Sequence, residues 1–176
     1  MNRSTQPDSQ KRDQWLSFFG RLSPETDPGT IRLVGLLHRV AHTLYQLSET
    51  SLSRSNLSYA QYRILLNLLF GEQFEGVSEL NPSEISERQG ISRNTVSALI
   101  SNLEKEGLIE RDLDQEDKRR FKIRLTDSGR DIIHTHASTH FKTIQRAFQS
   151  LSADEQAAMS QMLETLSQNL VGQEKS

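Results

Sequence analysis

The chain has 176 residues, a formal net charge of −2 and no cysteine; hydrophobic residues make up 34%, aromatic residues 6% and charged residues 25%. One folded unit is expected from that length, and the composition favours helices over a large β sandwich. Without cysteine there are no disulfides, thiolate zinc sites, iron–sulfur ligation or thiol redox sensing; no run of about 18 apolar residues offers a membrane span and no signal-peptide core opens the chain, so a cytoplasmic protein is expected, with no membrane partner.

Residues 1–29 are polar and interrupted by Pro7, Pro24, Pro28 and Gly29, apart from an apolar cluster at Trp15, Leu16, Phe18 and Phe19. They read as an extension with one short helix. Over 30–50, Ile31, Val34, Leu37, Ala41, Leu44 and Leu47 recur three or four positions apart, which predicts a long helix with one apolar stripe that a partner must cover. Ser58 with Gln61 has the spacing of a capping box, and the helix it opens is expected to bury Tyr62, Leu65, Leu66 and Leu69 and to stop at a left-handed Gly71.

Asn81-Pro82-Ser83-Glu84 opens another helix: Asn accepts free amide hydrogens, Pro at the first helical position loses nothing, and Glu lies at the positive end. Gly90 ends it early, and Ser92 caps a second helix whose stripe Val96, Leu99, Ile100 and Leu103 runs to Gly107. The period then changes to alternation over 108–125, a hairpin with a charged tip between Asp114 and Arg120. Helical periodicity returns over 126–150 (Ile133, Ala137, Phe141, Ile144, Phe148), and Ser152 with Glu155 opens a last helix over 152–171 through Met159, Met162, Leu166 and Leu170, followed by a tail, 172–176.

A mainly α fold with a small β wing follows: a helix-turn-helix at 82–106 followed by a wing, the plan of a winged helix-turn-helix whose second helix enters the major groove of DNA. With Val96, Leu99, Ile100 and Leu103 inward, the outward face carries Asn94, Ser97, Ala98, Ser101 and Lys105, with Arg93 and Thr95 near the amino end beside Ser92. The side chains of Asn94, Ser97 and Ala98 are short enough for close approach to base edges, and Arg93 and Asn94 can donate to purines. Lys118, Arg119, Arg120, Lys122 and Arg124 place five positive charges within seven residues, a density that favours a polyanionic partner; a soluble hairpin tip is the plainer reading of the same residues. On this reading Arg119 enters a narrow minor groove while Lys118 and Arg120 meet phosphate.

From about residue 31 to 171 the chain resembles the MarR (multiple antibiotic resistance regulator) family of bacterial transcription factors. The segments that carry the resemblance are Ile91-Ser92, Leu103-Glu104-Lys105-Glu106-Gly107-Leu108-Ile109, Arg111, Asp114, Asp117-Lys118-Arg119 and Leu125-Thr126-Asp127-Ser128-Gly129. The resemblance implies that Asp117, otherwise a plain turn residue, orients Arg119 at the wing tip. It implies a homodimer interlaced through the helices at 30–50, 126–150 and 152–171, a pseudopalindromic double-stranded DNA site, usually repression though activators occur, and a small aromatic or phenolic acid as effector. The urate-responsive branch has an extra amino-terminal helix with a Trp, which Trp15 resembles, but Arg63 and Leu99 stand where its ligand-binding Asp and Arg are expected, so urate is not carried over. Candidates for a ligand contact are Trp15, otherwise a packing residue of the dimer, and His38 and His42. The pairs His38/His42 and His136/His140 have a spacing that can bring two imidazoles onto one metal; the preferred reading is polar residues of the dimer interface, with no metal and no cofactor. Two rival classes are a winged helix that binds protein and an enzyme; for the latter there is no glycine-rich phosphate loop and no nucleophile elbow.

Overall fold

The computed structural model describes residues 14, 17–53, 55–113 and 121–173, without the side chains of 171 and 173. Trp15 and the wing-tip residues Asp117, Lys118, Arg119 and Arg120 lie outside them. The chain divides into two compact units between Gln46 and Leu47. Among the described residues no helix is long and apolar enough to cross a membrane.

In the first unit residues 17–22 are helical, and the rings of Phe18 and Phe19 meet edge to face with centroids 5.6 Å apart. Helix α1 (Pro28–Ser51) begins two residues before the expected start, because Pro28 occupies its first turn instead of breaking it. The Asp27 carboxylate accepts from the Thr30 amide at 2.8 Å and from its hydroxyl at 3.1 Å, bonds that hold its pKa below the ordinary range. Leu33, Val34, Leu36, Leu37 and Val40 on this helix are exposed in the single chain, as are His38 and His42.

The second unit holds the core. Helix α2 (Tyr59–Phe70) carries the expected capping box: the Ser58 amide donates to Gln61 Oε1 at 2.9 Å and the Gln61 amide donates to Ser58 Oγ at 3.2 Å. Its buried apolar residues are Tyr62, Ile64, Leu65 and Leu68; Leu66 and Leu69, expected inside, are only partly buried. α2 meets three helices and a strand of the unit, so more than one face is covered. Gly71 is also corrected. It has right-handed angles (φ −57°), and the chain continues through one π turn, Gly71–Glu75, to stop at Gly76 (φ 66°). A side chain at Gly71 would meet the Val77 carbonyl oxygen at 2.8 Å, so glycine serves close approach there and not a left-handed bend.

Helix α3 (Pro82–Gln89) and helix α4 (Arg93–Lys105) form the helix-turn-helix. Strands β1 (Ile109–Leu113) and β2 (Phe121–Leu125) pair antiparallel, with Ile109 opposite Leu125 and Leu113 opposite Phe121. Leu80 adds an isolated bridge to Ile123, exchanging both backbone hydrogen bonds at 2.9 and 3.0 Å, and so ties the segment before α3 to the wing. Helix α5 (Asp127–Phe148) and helix α6 (Ala153–Gln173) complete the unit; the Ser152–Glu155 capping box opens α6 as expected. Leu80, Ile85, Val96, Ile100, Leu103, Ile123, Leu125 and Ile133 join the α2 residues in one core.

His140 departs from the interface role expected for it. It is buried, its Nδ1 lies 2.8 Å from Ser51 Oγ, and its ring packs on Tyr59 and Tyr62 with centroids 5.5 and 5.4 Å away. That environment pushes its pKa down by desolvation. His136, four residues earlier, is half-buried, and among the described residues no three His, Asp or Glu side chains converge as metal ligands would.

Candidate nucleic-acid interface

The site starts with the turn between α3 and α4. Asn81 Oδ1 accepts from the amides of Ser83 and Glu84 at 2.9 and 3.0 Å, and the Asn81 amide donates to Glu84 Oε2 at 2.7 Å. Gly90 takes a left-handed φ of 66°, where its amide donates to the Ser86 carbonyl at 2.9 Å, and Ser86 Oγ donates to the Ile91 carbonyl at 2.6 Å. These bonds fix where α4 begins. Ser92 Oγ then accepts from the Thr95 amide at 3.2 Å.

On α4, Val96, Ile100 and Leu103 are buried, while Arg93, Asn94, Thr95, Ser97, Ala98 and Lys105 are exposed and Ser101 is half-buried. Ser92, Arg93, Asn94, Thr95 and Ser97 are therefore all accessible to solvent at the cap and over the first turns of α4, with Ser101 half-buried one turn on from Ser97. Leu99 lies at the edge of the stripe and is only partly buried. Behind the carboxyl end of α4, Gly107 has φ 69°, and the amide of Leu108 donates to the Leu103 carbonyl at 3.0 Å, closing the helix and launching β1.

The wing is anchored at its base by a junction whose sequence signal, Leu125-Thr126-Asp127-Ser128-Gly129, now has a physical meaning. Thr126 Oγ1 donates to the Gly107 carbonyl at 2.7 Å and accepts from the Gly129 amide at 3.0 Å, while the Thr126 amide donates to the Leu108 carbonyl at 3.2 Å. A side chain at Gly129 would collide with that same Leu108 carbonyl oxygen. Further out, the Arg111 guanidinium lies over the Phe121 ring, 3.6 Å from its centroid, and Arg111 Nε is buried without a hydrogen-bond partner among the described residues.

The charge reading of 118–124 needs correction at two of its five cations. Arg124 Nε donates to Glu110 Oε2 at 2.8 Å, its Nη2 lies 2.5 Å from Asp112 Oδ2, and its Nη1 is 3.6 Å from Glu79 Oε1; Lys122 Nζ is 3.1 Å from Glu79 Oε2. The Glu110 hydrogen bond, followed by the field of Asp112, raises the Arg124 pKa further above its already high value. The alternation of acids on β1 and bases on β2 was visible in sequence; that they would face each other follows only from the register, Glu110 opposite Arg124 and Asp112 opposite Lys122. Sequence reasoning also missed Glu79, which the Leu80 bridge brings alongside, and the Arg130 guanidinium that grips Glu72 at 2.6 and 3.1 Å and Asp127 at 3.0 Å.

Known proteins share this arrangement. A MarR-family sequence model matches residues 55–120. YwaE of Bacillus subtilis, named an uncharacterized HTH-type transcriptional regulator, is 31% identical over 136 residues, which span 76% of this chain and 75% of that protein. The chain belongs to the MarR family. Among other MarR-like relatives, YetL of B. subtilis, named an HTH-type transcriptional repressor, is 26% identical over 144 residues, 82% of this chain and 84% of that one. The crystal structure of the S. aureus MepR–DNA complex superposes with a TM-score of 0.68 at 27% identity, covering 77% of this chain and 96% of that chain. YwaE and YetL are named as transcriptional regulators and not as enzymes, and it is the mainly helical fold with a two-strand wing described above that superposes on MepR.

Proposed function

We propose that this MarR-family chain is a sequence-specific double-stranded-DNA-binding transcriptional repressor that acts as a homodimer on a pseudopalindromic operator and responds to a small aromatic or phenolic acid. The observation that carries the reading is the exposed surface of α4, where Arg93, Asn94, Thr95 and Ser97 surround buried Val96 and no bulky side chain holds the helix away from a groove. Ser92 and Ser101 flank it. In this reading Arg119 inserts in the minor groove, Asp117 orients it, and Lys118 and Arg120 meet phosphate. MepR, bound to DNA, and YetL, named a repressor, support the class. The exposed apolar residues of α1 and of α6 (Met162, Leu163, Leu166, Leu170) support a second copy as the cover for faces left bare in one chain.

Titration of the purified protein against duplex from the region flanking its own gene, in rising salt, tests the reading. Binding that protects two half-sites about one helical turn apart, survives scrambled competitor and weakens with salicylate-type acids is expected. Equal affinity for the scrambled duplex overturns sequence specificity, and indifference to every aromatic acid overturns the effector class.

A further inference from the structure

Among the described residues, the outer face of the wing sets three carboxylates, Glu79, Glu110 and Asp112, against two cations, Lys122 and Arg124, and all five side chains are partly exposed. Along β2 the residues that alternate with them, Ile123 and Leu125, point into the core, so Lys122 and Arg124 share the solvent side with the acids of β1. Arg124 is shared by all three acids, and Glu79 bridges both cations. A DNA phosphate approaching this face would compete with a carboxylate already in place on each of the two cations.

We propose that Glu79, Glu110 and Asp112 are specificity-determining residues: they act as built-in counter-ions that keep Lys122 and Arg124 from DNA phosphate and so suppress binding to arbitrary sequence. The inference rests on the DNA-binding reading above. Sequence-independent affinity comes from phosphate neutralisation, each contact adding about 0.9 to the slope of log affinity against log salt. Quenching two strand cations therefore lowers nonspecific affinity while leaving base contacts from α4 untouched. Isolated exposed ion pairs are individually weak, but here Arg124 and Lys122 share Glu79 in one network with Glu110 and Asp112, and a cation held within it must give up a carboxylate before it meets a phosphate.

The test measures binding of the full chain to its operator and to a scrambled duplex across salt concentrations. Glu79→Gln removes a counter-ion that Lys122 and Arg124 share; the expected result is a scrambled-duplex slope steeper by up to about 0.9, roughly threefold tighter nonspecific binding per fourfold fall in salt, and a smaller ratio of specific to nonspecific affinity. Adding Lys122→Gln to Glu79→Gln restores the original slope. Asp112→Asn, at a more exposed side chain, is expected to steepen the slope through Arg124 and provides a second reading should Glu79→Gln fold poorly. Asp131→Asn, an equal charge change on α5, leaves the slope unchanged. Glu79→Gln and Asp112→Asn slopes equal to the unsubstituted protein, or matched by Asp131→Asn, overturn the proposal, as does a lower slope for Lys122→Gln alone, which would mean that Lys122 already contacts phosphate. Those outcomes leave DNA binding intact; absence of binding to any duplex by the unsubstituted protein overturns the functional reading and the inference with it.

Discussion

At the scale of single residues, Gly129 and His140 show how much one position can hold. The obstacle at Gly129 is a backbone carbonyl, that of Leu108, which is itself committed to the Thr126 amide and cannot swing aside. Gly129→Ala is therefore expected to lower stability by about 3 kcal/mol, outweighing the gain of about 1 kcal/mol that alanine brings to a helix, as read by urea unfolding. His140 is neutral where it is buried, because desolvation lowers its pKa relative to the unfolded chain. The unfolded state then binds the additional proton first as pH falls, so the stability His140 contributes is full above about pH 7 and is lost as pH drops toward the lowered value. Unfolding midpoints measured from pH 8 to pH 5 should fall, and His140→Gln, which keeps a polar atom for Ser51 but does not titrate, should flatten that fall. A midpoint equally steep in the variant would assign the pH dependence to other groups.

At the scale of elements, four helix starts were legible because capping chemistry is local: Ser58, Asn81, Ser92 and Ser152 each bond an amide two or three residues on, a distance the sequence itself sets, and the structure adds Thr126 as a cap of the same kind. Ser92→Ala is expected to cost about 1 kcal/mol of stability and to fray the first turn of α4, where Arg93 and Asn94 sit; circular dichroism melting and operator affinity should both register it. The same locality explains the misses. Whether Gly71 bends left or admits the Val77 carbonyl depends on a contact six residues away, and one face of α2 was chosen from a stripe when several neighbours cover it. The outward set on α4 could be read from its 3.6-residue period, whereas the neutralisation of Lys122 and Arg124 required strand register and the Leu80 bridge. His140 lay on an apolar stripe one position from Phe141, and periodicity alone could not say that the imidazole turns inward while the phenyl ring stays exposed.

At the scale of the whole molecule, α1 and α6 display more apolar surface than a solitary chain readily leaves in water. On the homodimer proposed above, replacing Leu166 and Leu170 together by Glu is expected to shift sedimentation from dimer toward monomer and to weaken operator binding by an order of magnitude or more, since each protomer would engage one half-site; an unchanged sedimentation profile would place the subunit contact elsewhere. The junction of Gly107, Leu108, Thr126 and Gly129 also makes the wing and the start of α5 a welded corner, with three hydrogen bonds and no room for a side chain. Such a corner is a fulcrum. Five strand residues make an arm of about 17 Å, so a 10° tilt of the long helix would sweep the far end of the ribbon through roughly 3 Å, enough to carry a guanidinium out of hydrogen-bonding reach of its target.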